Sequence, residues 1–105
     1  GSLLYVADIG RQVTYSYQIE ANGDLSNQEF FVDMGSDGMT IDEQGNVYLT
    51  GDGVSVFDSR GKKIEHIKIE EPWTANVTFA GSKRDMLFIT ASSAIYSLAM
   101  KVKGN

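Results

Sequence analysis

Hydrophobic and polar residues alternate along much of this chain with the two-residue period of a β-strand. In Val13–Ile19 the odd-numbered residues are apolar or aromatic and the even-numbered residues are polar. Successive side chains of a strand point to opposite faces, so this pattern predicts a strand with one buried face. The continuous apolar runs Leu3–Ala7 and Met86–Thr90 predict strands that are covered on both faces. The strands predicted in this way are Leu3–Ala7, Val13–Ile19, Glu29–Val32, Met39–Asp42, Val47–Thr50, Val54–Phe57, Glu65–Ile69, Ala75–Phe79, Met86–Thr90 and Ala94–Val102.

Polar turns separate these strands, and several of the turns contain a glycine where positive φ is needed. Asp42–Asn46, with the sequence DEQGN, is one such turn. The segment Ala94–Lys103 has a helical alternative, because its apolar residues also fit a spacing of three to four. It has no clear helix cap, and its tyrosine and small polar residues favour a strand. The sequence therefore predicts an all-β fold.

Three of the predicted strands resemble one another: Leu4–Ala7, Val47–Thr50 and Leu87–Thr90. Their aromatic residues, at positions 5, 48 and 88, are 43 and then 40 positions apart. Four short strands in about 40 to 45 residues is the period of a β-propeller blade. A meander or a β-sandwich also has a strand every 8 to 12 residues or so, but the matched spacing favours the propeller.

The predicted strands make up about two and a half four-stranded antiparallel blades. The first repeat lacks its first strand, the second has all four strands, and the third ends after three. A closed propeller needs at least about four blades, and unpaired strand edges readily pair with another chain. We therefore expect a homo-oligomer formed through these edges. The alternative is a monomer whose own loops cap them.

Composition excludes several classes of partner and site. The chain has 105 residues, a formal net charge of -5 and no cysteine. Nucleic acids and anionic membranes attract basic surfaces, so neither is an expected partner, whereas a cation is compatible with this charge. Without cysteine there is no disulfide and no thiolate metal site. Residues 1–2, Gly-Ser, resemble a cloning scar, so the expected domain is a partial propeller over residues 3–105.

The segment Gly35–Thr50 contains the carboxylate best placed for chemistry, Asp37, on a glycine-flanked turn before a short strand. The alternative for Asp37 is a structural role, because turn aspartates commonly accept hydrogen bonds from nearby backbone N–H groups. We expect that structural role for Asp42 and Asp58, which lie in hairpin turns. His66 is the single histidine, and its place on the polar side of a strand predicts a solvated side chain.

Five motifs carry a family resemblance, and they follow one another in the right order and spacing: SDGMTID, GNVYLT, GVSVFDSRGKKI, ANVTFAG and LFITA. With these motifs the chain resembles the C-terminal portion of the gluconolactonase/regucalcin-like (SMP-30/LRE-like) family of six-bladed β-propellers. The resemblance implies a divalent cation in a central tunnel, held by oxygen ligands, and hydrolysis of a small sugar lactone. Ca²⁺ is the expected cation, and Mg²⁺, Mn²⁺ and Zn²⁺ are alternatives.

The resemblance also assigns roles to two residues. Asp37 matches the family's metal-binding and catalytic aspartate, and Asn76 lies at the corresponding start of the next inner strand, as a second candidate metal ligand. The family's glutamate and asparagine ligands from earlier blades have no counterpart here. A hard cation takes about six to eight oxygens, so Asp37 alone is insufficient. Two functions stay open: a lactone hydrolase whose site is rebuilt by assembly, and a structural propeller piece that binds no metal.

Overall fold

The computed structural model of the chain describes residues 2–70, 74–91 and 94–104. These residues form ten β-strands in three antiparallel sheets, which confirms the all-β prediction. The chain divides into two compact units, residues 1–36 and residues 37–105. Nowhere in the described ranges is there a helix long and apolar enough to cross a bilayer.

The first unit contains one sheet with the strand order β1–β2–β3. Its strands are β1 (Ser2–Asp8), β2 (Val13–Ile19) and β3 (Leu25–Val32). The rings of Tyr5 and Phe31 meet edge to face across β2, with their centroids 4.8 Å apart. The hydroxyl of Thr14, which is fully buried, donates to the carbonyl of Met34 at 2.7 Å. The sheet is thus held on one face by an aromatic pair and at one end by a buried hydroxyl.

Two burial predictions for this unit are wrong. Leu3, Leu4 and Val6 are 40–48% exposed, because β1 is a border strand of its sheet and pairs only with β2. β2 does not have one buried and one exposed face, because burial changes along the strand: Val13 and Thr14 are buried at its start, and Ile19 is exposed at its end. In addition, β3 begins at Leu25, four residues before the predicted start.

The second unit begins with a four-stranded sheet in the order β4–β5–β6–β7. Its strands are β4 (Met39–Ile41), β5 (Val47–Gly51), β6 (Gly53–Phe57) and β7 (Lys63–Ile67). The turns β4–β5 and β6–β7 have the same pattern, an aspartate followed three residues later by a glycine. Gly45 and Gly61 adopt φ values of 84° and 83°, a region that L side chains rarely adopt. The two hairpins therefore share one turn geometry.

The remaining sheet of this unit has the order β8–β9–β10. Its strands are β8 (Thr74–Ala80), β9 (Met86–Ala91) and β10 (Ala94–Ala99). β8 packs against β4, β5 and β6, which places the core of the unit between its two sheets. The core residues are Tyr48, Val54, Val56, Ile69, Val77, Leu87, Ile89 and Ala91. The prediction that β9 is covered on both faces is wrong for one face, because Leu87 and Ile89 are buried but Thr90 is exposed.

The last strand ends at Ala99 rather than at the predicted Val102. Beyond the last strand pair, Ala99 opposite Met86, the backbone hydrogen-bonds to residues of two turns. Met100 N–H donates to the carbonyl of Asp85 at 2.8 Å, and Gly104 N–H donates to the carbonyl of Arg84 at 2.9 Å. Glu43 N–H donates to the carbonyl of Lys103 at 2.7 Å. Residues 100–104, the C-terminal strap, thus connect the β4–β5 turn to the β8–β9 turn.

Strand counts of three, four and three match the predicted repeats. The first sheet is one strand short, the second is complete, and the third is one strand short. Within every sheet, strands that are consecutive in sequence are neighbours. This is the meander connectivity expected of propeller blades.

Candidate functional site

Asp37 lies two residues before β4, and its side chain is exposed. Its carboxylate has no hydrogen-bond or salt-bridge partner within residues 2–70, 74–91 and 94–104. Asp58 behaves differently, because its carboxylate accepts the backbone N–H groups of Arg60 and Lys62 at 2.9 and 3.0 Å. Asp8 likewise accepts the N–H of Arg11 at 3.1 Å. Asp37 therefore does not stabilise its own turn through side-chain hydrogen bonds to the backbone, whereas Asp58 and Asp8 do.

Asn76 lies near the start of β8 and is also exposed. Its side-chain oxygen accepts the N–H of Val77 at 2.8 Å, which leaves that oxygen one further lone pair. Gly38, the residue after Asp37, packs directly on Asn76. A Cβ at Gly38 would lie 2.8 Å from the Cα of Asn76 and would collide with its side-chain oxygen. The absence of a side chain at Gly38 lets the two candidate ligand segments meet.

The buried side chain of Thr50 contacts the backbone of both segments. Thr50 is the fourth residue of β5, and it is 2% exposed. Its hydroxyl oxygen lies 3.0 Å from the nitrogen of Gly38 and 3.1 Å from the carbonyl oxygen of Gly38. It also lies 3.5 Å from the carbonyl oxygen of Ala75. The starts of β4 and β8 therefore share a buried hydroxyl.

The described residues contain no group of three or more histidine, cysteine, aspartate or glutamate side chains that could hold a metal ion. Asp37 and Asn76 together offer one carboxylate and one amide oxygen. Two surface grooves of the second unit lie at the other end of β4, beside Asp42 and Glu43. In the described part of the chain the predicted site is thus an exposed pair of oxygen donors.

Asp42 is more than the turn residue expected from sequence. It is 1% exposed, and its carboxylate accepts the N–H groups of Gln44 and Asn46 at 2.9 and 3.0 Å. It also accepts the side-chain amide of Asn46 at 2.9 Å and the hydroxyl of Tyr48 at 3.0 Å. Burial, and then the hydrogen bond to Asp42, raise the pKa of Tyr48 above its ordinary value.

His66 is exposed on β7, as predicted, and its Nδ1 lies 3.3 Å from the hydroxyl oxygen of Ser55. Sequence reasoning missed the roles of Thr50 and Gly38. The sequence pattern indicates only an ordinary β-branched strand residue at Thr50 and a turn glycine at Gly38. Only their pairing across β4 and β5 reveals the contact, since Met39 opposite Leu49 sets Gly38 opposite Thr50.

Comparison with known proteins identifies a related family. Residues 1–93 match the sequence profile of the SMP-30/gluconolactonase/LRE-like region. An uncharacterized protein of Sulfolobus acidocaldarius is 31% identical over 117 aligned positions, which cover 96% of this chain and 42% of that protein.

Solved structures show the same fold. A structural-genomics protein described as a candidate gluconolactonase superposes with a TM-score of 0.88 and 27% identity, over 97% of this chain and 36% of its own. Regucalcin from Agrobacterium tumefaciens, described as a calcium-binding protein, superposes with a TM-score of 0.86 and 22% identity, over 100% of this chain and 44% of its own. The chain thus spans about two-fifths of the length of the proteins that it matches.

Proposed function

The chain belongs to the SMP-30/gluconolactonase/LRE-like family, and from this premise we propose that Asp37 is the central carboxylate of a divalent-cation site in a sugar-lactone hydrolase. One observation carries the proposal. The Asp37 carboxylate is exposed and has no partner in the described part of the chain, so it keeps all its lone pairs for a ligand. Ca²⁺ is the first cation to test, since regucalcin is described as calcium-binding. Mg²⁺, Mn²⁺ and Zn²⁺ are the alternatives.

The oxygen ligands that the two residues offer are of the kind that a hard cation prefers, but there are too few of them to fill its shell. Ca²⁺ and Mg²⁺ prefer carboxylate and amide oxygens, which Asp37 and Asn76 supply. Ca²⁺ takes about six to eight oxygens, so these two residues would hold only part of its shell. The other ligands of the shell, water and substrate oxygens among them, would lie outside this pair of residues.

Within such a site the residues of this chain would orient the cation and supply a proton acceptor. A bound cation would polarise the lactone carbonyl. Asp37 can bind the cation or accept a proton from the attacking water, because no hydrogen bond within the described residues occupies its carboxylate. Asn76, which packs against the neighbouring Gly38, presents an amide oxygen. The exposure of both side chains leaves room for water and a small lactone.

A second copy of the chain would supply further oxygens through self-association. Two strands at the borders of their sheets carry exposed apolar residues: Leu3, Leu4 and Val6 on β1, and Ile95 and Leu98 on β10. Edge strands with apolar side chains are prone to pair with another chain. A symmetric pair would contribute a second Asp37 and a second Asn76. Light scattering at micromolar concentration tests this association: a dimer or larger species is expected, and a stable monomer would refute it.

Calorimetric titration with Ca²⁺ tests the metal site. We expect saturable binding by the wild-type protein and its loss in Asp37→Asn. Asp24→Asn is the matched control, because Asp24 is also an exposed aspartate beside a glycine but belongs to the first unit, and its substitution removes the same charge. Binding should survive in that variant. Absence of heat at millimolar Ca²⁺ and Mn²⁺, or equal loss in both variants, would rule out the site. Hydrolysis of gluconolactone, followed by acid release, then tests catalysis.

The second candidate function is a structural propeller piece without catalysis. It is favoured by the lack of a cluster of three or more ionisable metal ligands within the described residues. In that case the Asp37→Asn variant should keep the stability and association of the wild type, and no metal should raise the melting temperature. A rise in melting temperature with Ca²⁺ that depends on Asp37 would exclude this alternative.

A further inference from the structure

We infer that Thr50 is a positioning residue for the cation site, acting through the peptide that links Asp37 to Gly38. This inference rests on the proposed function. Thr50 does not touch a ligand, because it is buried beneath the exposed pair Asp37 and Asn76. Its hydroxyl instead fixes the backbone from which Asp37 projects.

The Thr50 hydroxyl is placed to act as both acceptor and donor toward the same residue, Gly38. The Thr50 hydroxyl accepts the Gly38 N–H at 3.0 Å and lies within donating distance, 3.1 Å, of the Gly38 carbonyl. The backbone N–H of Thr50 donates to the same carbonyl at 3.2 Å. Gly38 is therefore bonded on both sides of its Cα. The nitrogen that Thr50 holds belongs to the peptide directly after Asp37.

Such support is needed because β4 is short. It has only three residues, Met39–Ile41, and Gly38 lies just outside it. The end of a three-residue edge strand would otherwise fray and let Asp37 move. A buried side-chain hydrogen bond beyond the end of the strand stabilises the segment without occupying the Asp37 carboxylate.

The same hydroxyl also approaches the other ligand segment. It lies 3.5 Å from the carbonyl oxygen of Ala75, the residue before Asn76. Gly38 in turn packs on the Cα and the side chain of Asn76. A change at Thr50 should therefore disturb the spacing between Asp37 and Asn76, and not only the position of one of them.

Two substitutions separate positioning from general stability. Thr50→Val keeps the β-branched shape and removes the hydroxyl, whereas Thr50→Ser keeps the hydroxyl and removes a methyl group. Loss of a residue that orients a ligand typically weakens metal binding by about 10- to 100-fold. We expect that loss of Ca²⁺ affinity in Thr50→Val and a change below about threefold in Thr50→Ser. Both affinities are measured by calorimetry, with melting temperatures recorded in parallel.

A second measurement does not involve metal. Amide hydrogen exchange at Gly38, followed by NMR, should be faster in Thr50→Val than in wild type or Thr50→Ser. Thr50→Ala replaces the valine variant if the latter does not fold. Wild-type affinity in the variant without the hydroxyl, unchanged Gly38 exchange, or equal weakening in Thr50→Ser would overturn the inference alone. Absence of Ca²⁺ binding by the wild-type protein would overturn the proposed function and this inference with it.

Discussion

Replacing Asp42 by alanine tests whether a buried turn carboxylate stabilises the second unit. Asp42 and Asp58 occupy equivalent positions in the two hairpin turns, each ahead of a glycine at positive φ. Each carboxylate accepts two backbone N–H groups at 2.9 and 3.0 Å. Asp42 differs in being 1% exposed and in accepting two more donors, the amide of Asn46 and the hydroxyl of Tyr48.

The expected magnitude follows from this difference. A hydrogen bond to a charged group contributes about 1.5 to 3 kcal/mol, and a buried donor left without a partner costs about 1 to 3 kcal/mol. Tyr48 is 3% exposed, so its hydroxyl would lose its charged partner at a largely buried position. We expect Asp42→Ala to lower the free energy of unfolding by about 3 kcal/mol. The same substitution at the partly exposed Asp58 should cost about 1 kcal/mol, because water replaces the carboxylate there.

Urea unfolding followed by circular dichroism measures both variants under the same conditions. Tyr48→Phe helps to apportion the loss, since it removes one of the four donors and leaves the other three bonds of Asp42 in place. Its cost should be about 1.5 kcal/mol. Equal destabilisation by Asp42→Ala and Asp58→Ala would refute the reasoning, because burial would then add nothing to the turn hydrogen bonds.

Three further predictions concern other contacts of the second unit. Gly38→Ala should weaken Ca²⁺ binding and destabilise the fold by about 1 to 3 kcal/mol, because the new Cβ would collide with Asn76. Calorimetric titration and thermal melts measure both effects. Gly10→Ala is the control and should be nearly neutral, because its Cβ would meet nothing closer than 3.5 Å. Burial raises the pKa of Tyr48, so the folded state keeps its proton above about pH 10, where the unfolded chain loses it. Stability should therefore fall above that pH, and urea titrations at pH 8 and 10.5 should show a smaller fall for Tyr48→Phe. Deleting residues 101–105 removes the strap hydrogen bonds to Glu43 and Arg84 and should lower the free energy of unfolding by about 2 to 4 kcal/mol, whereas an unchanged melt would show that the strap is dispensable.

The sequence was sufficient for the strands and their grouping. Alternation and turn glycines predicted ten strands in groups of three, four and three, and the structure has the same groups. These signals are local, because they depend on side-chain periodicity and on the φ preference of glycine. The predicted strand ends were less accurate, since β3 begins earlier, at Leu25, and β10 ends earlier, at Ala99, than predicted. There the end is set by neighbouring turns, which a local pattern does not include.

Burial and the support of the site depended on tertiary contacts. The apolar run in β1 predicted coverage on both faces, but coverage requires packed neighbours, and β1 is a border strand that pairs only with β2. The motif at Asp37 pointed to a functional aspartate, whereas nothing local distinguished Thr50 from other strand threonines. Its importance arises from the pairing of Gly38 with Thr50 and from the approach of β8. Asp42 likewise matched Asp58 in sequence pattern and differs from it through burial.

Paramagnetic NMR with Mn²⁺ tests most directly whether Asp37 anchors a cation site. At substoichiometric Mn²⁺, amide signals of residues near the bound ion broaden selectively. We predict broadening at Gly38, Val77 and the amides beside them, and its loss in Asp37→Asn. Broadening spread over the acidic surface, centred on Asp24 or unchanged by the Asp37→Asn substitution would contradict the proposed site.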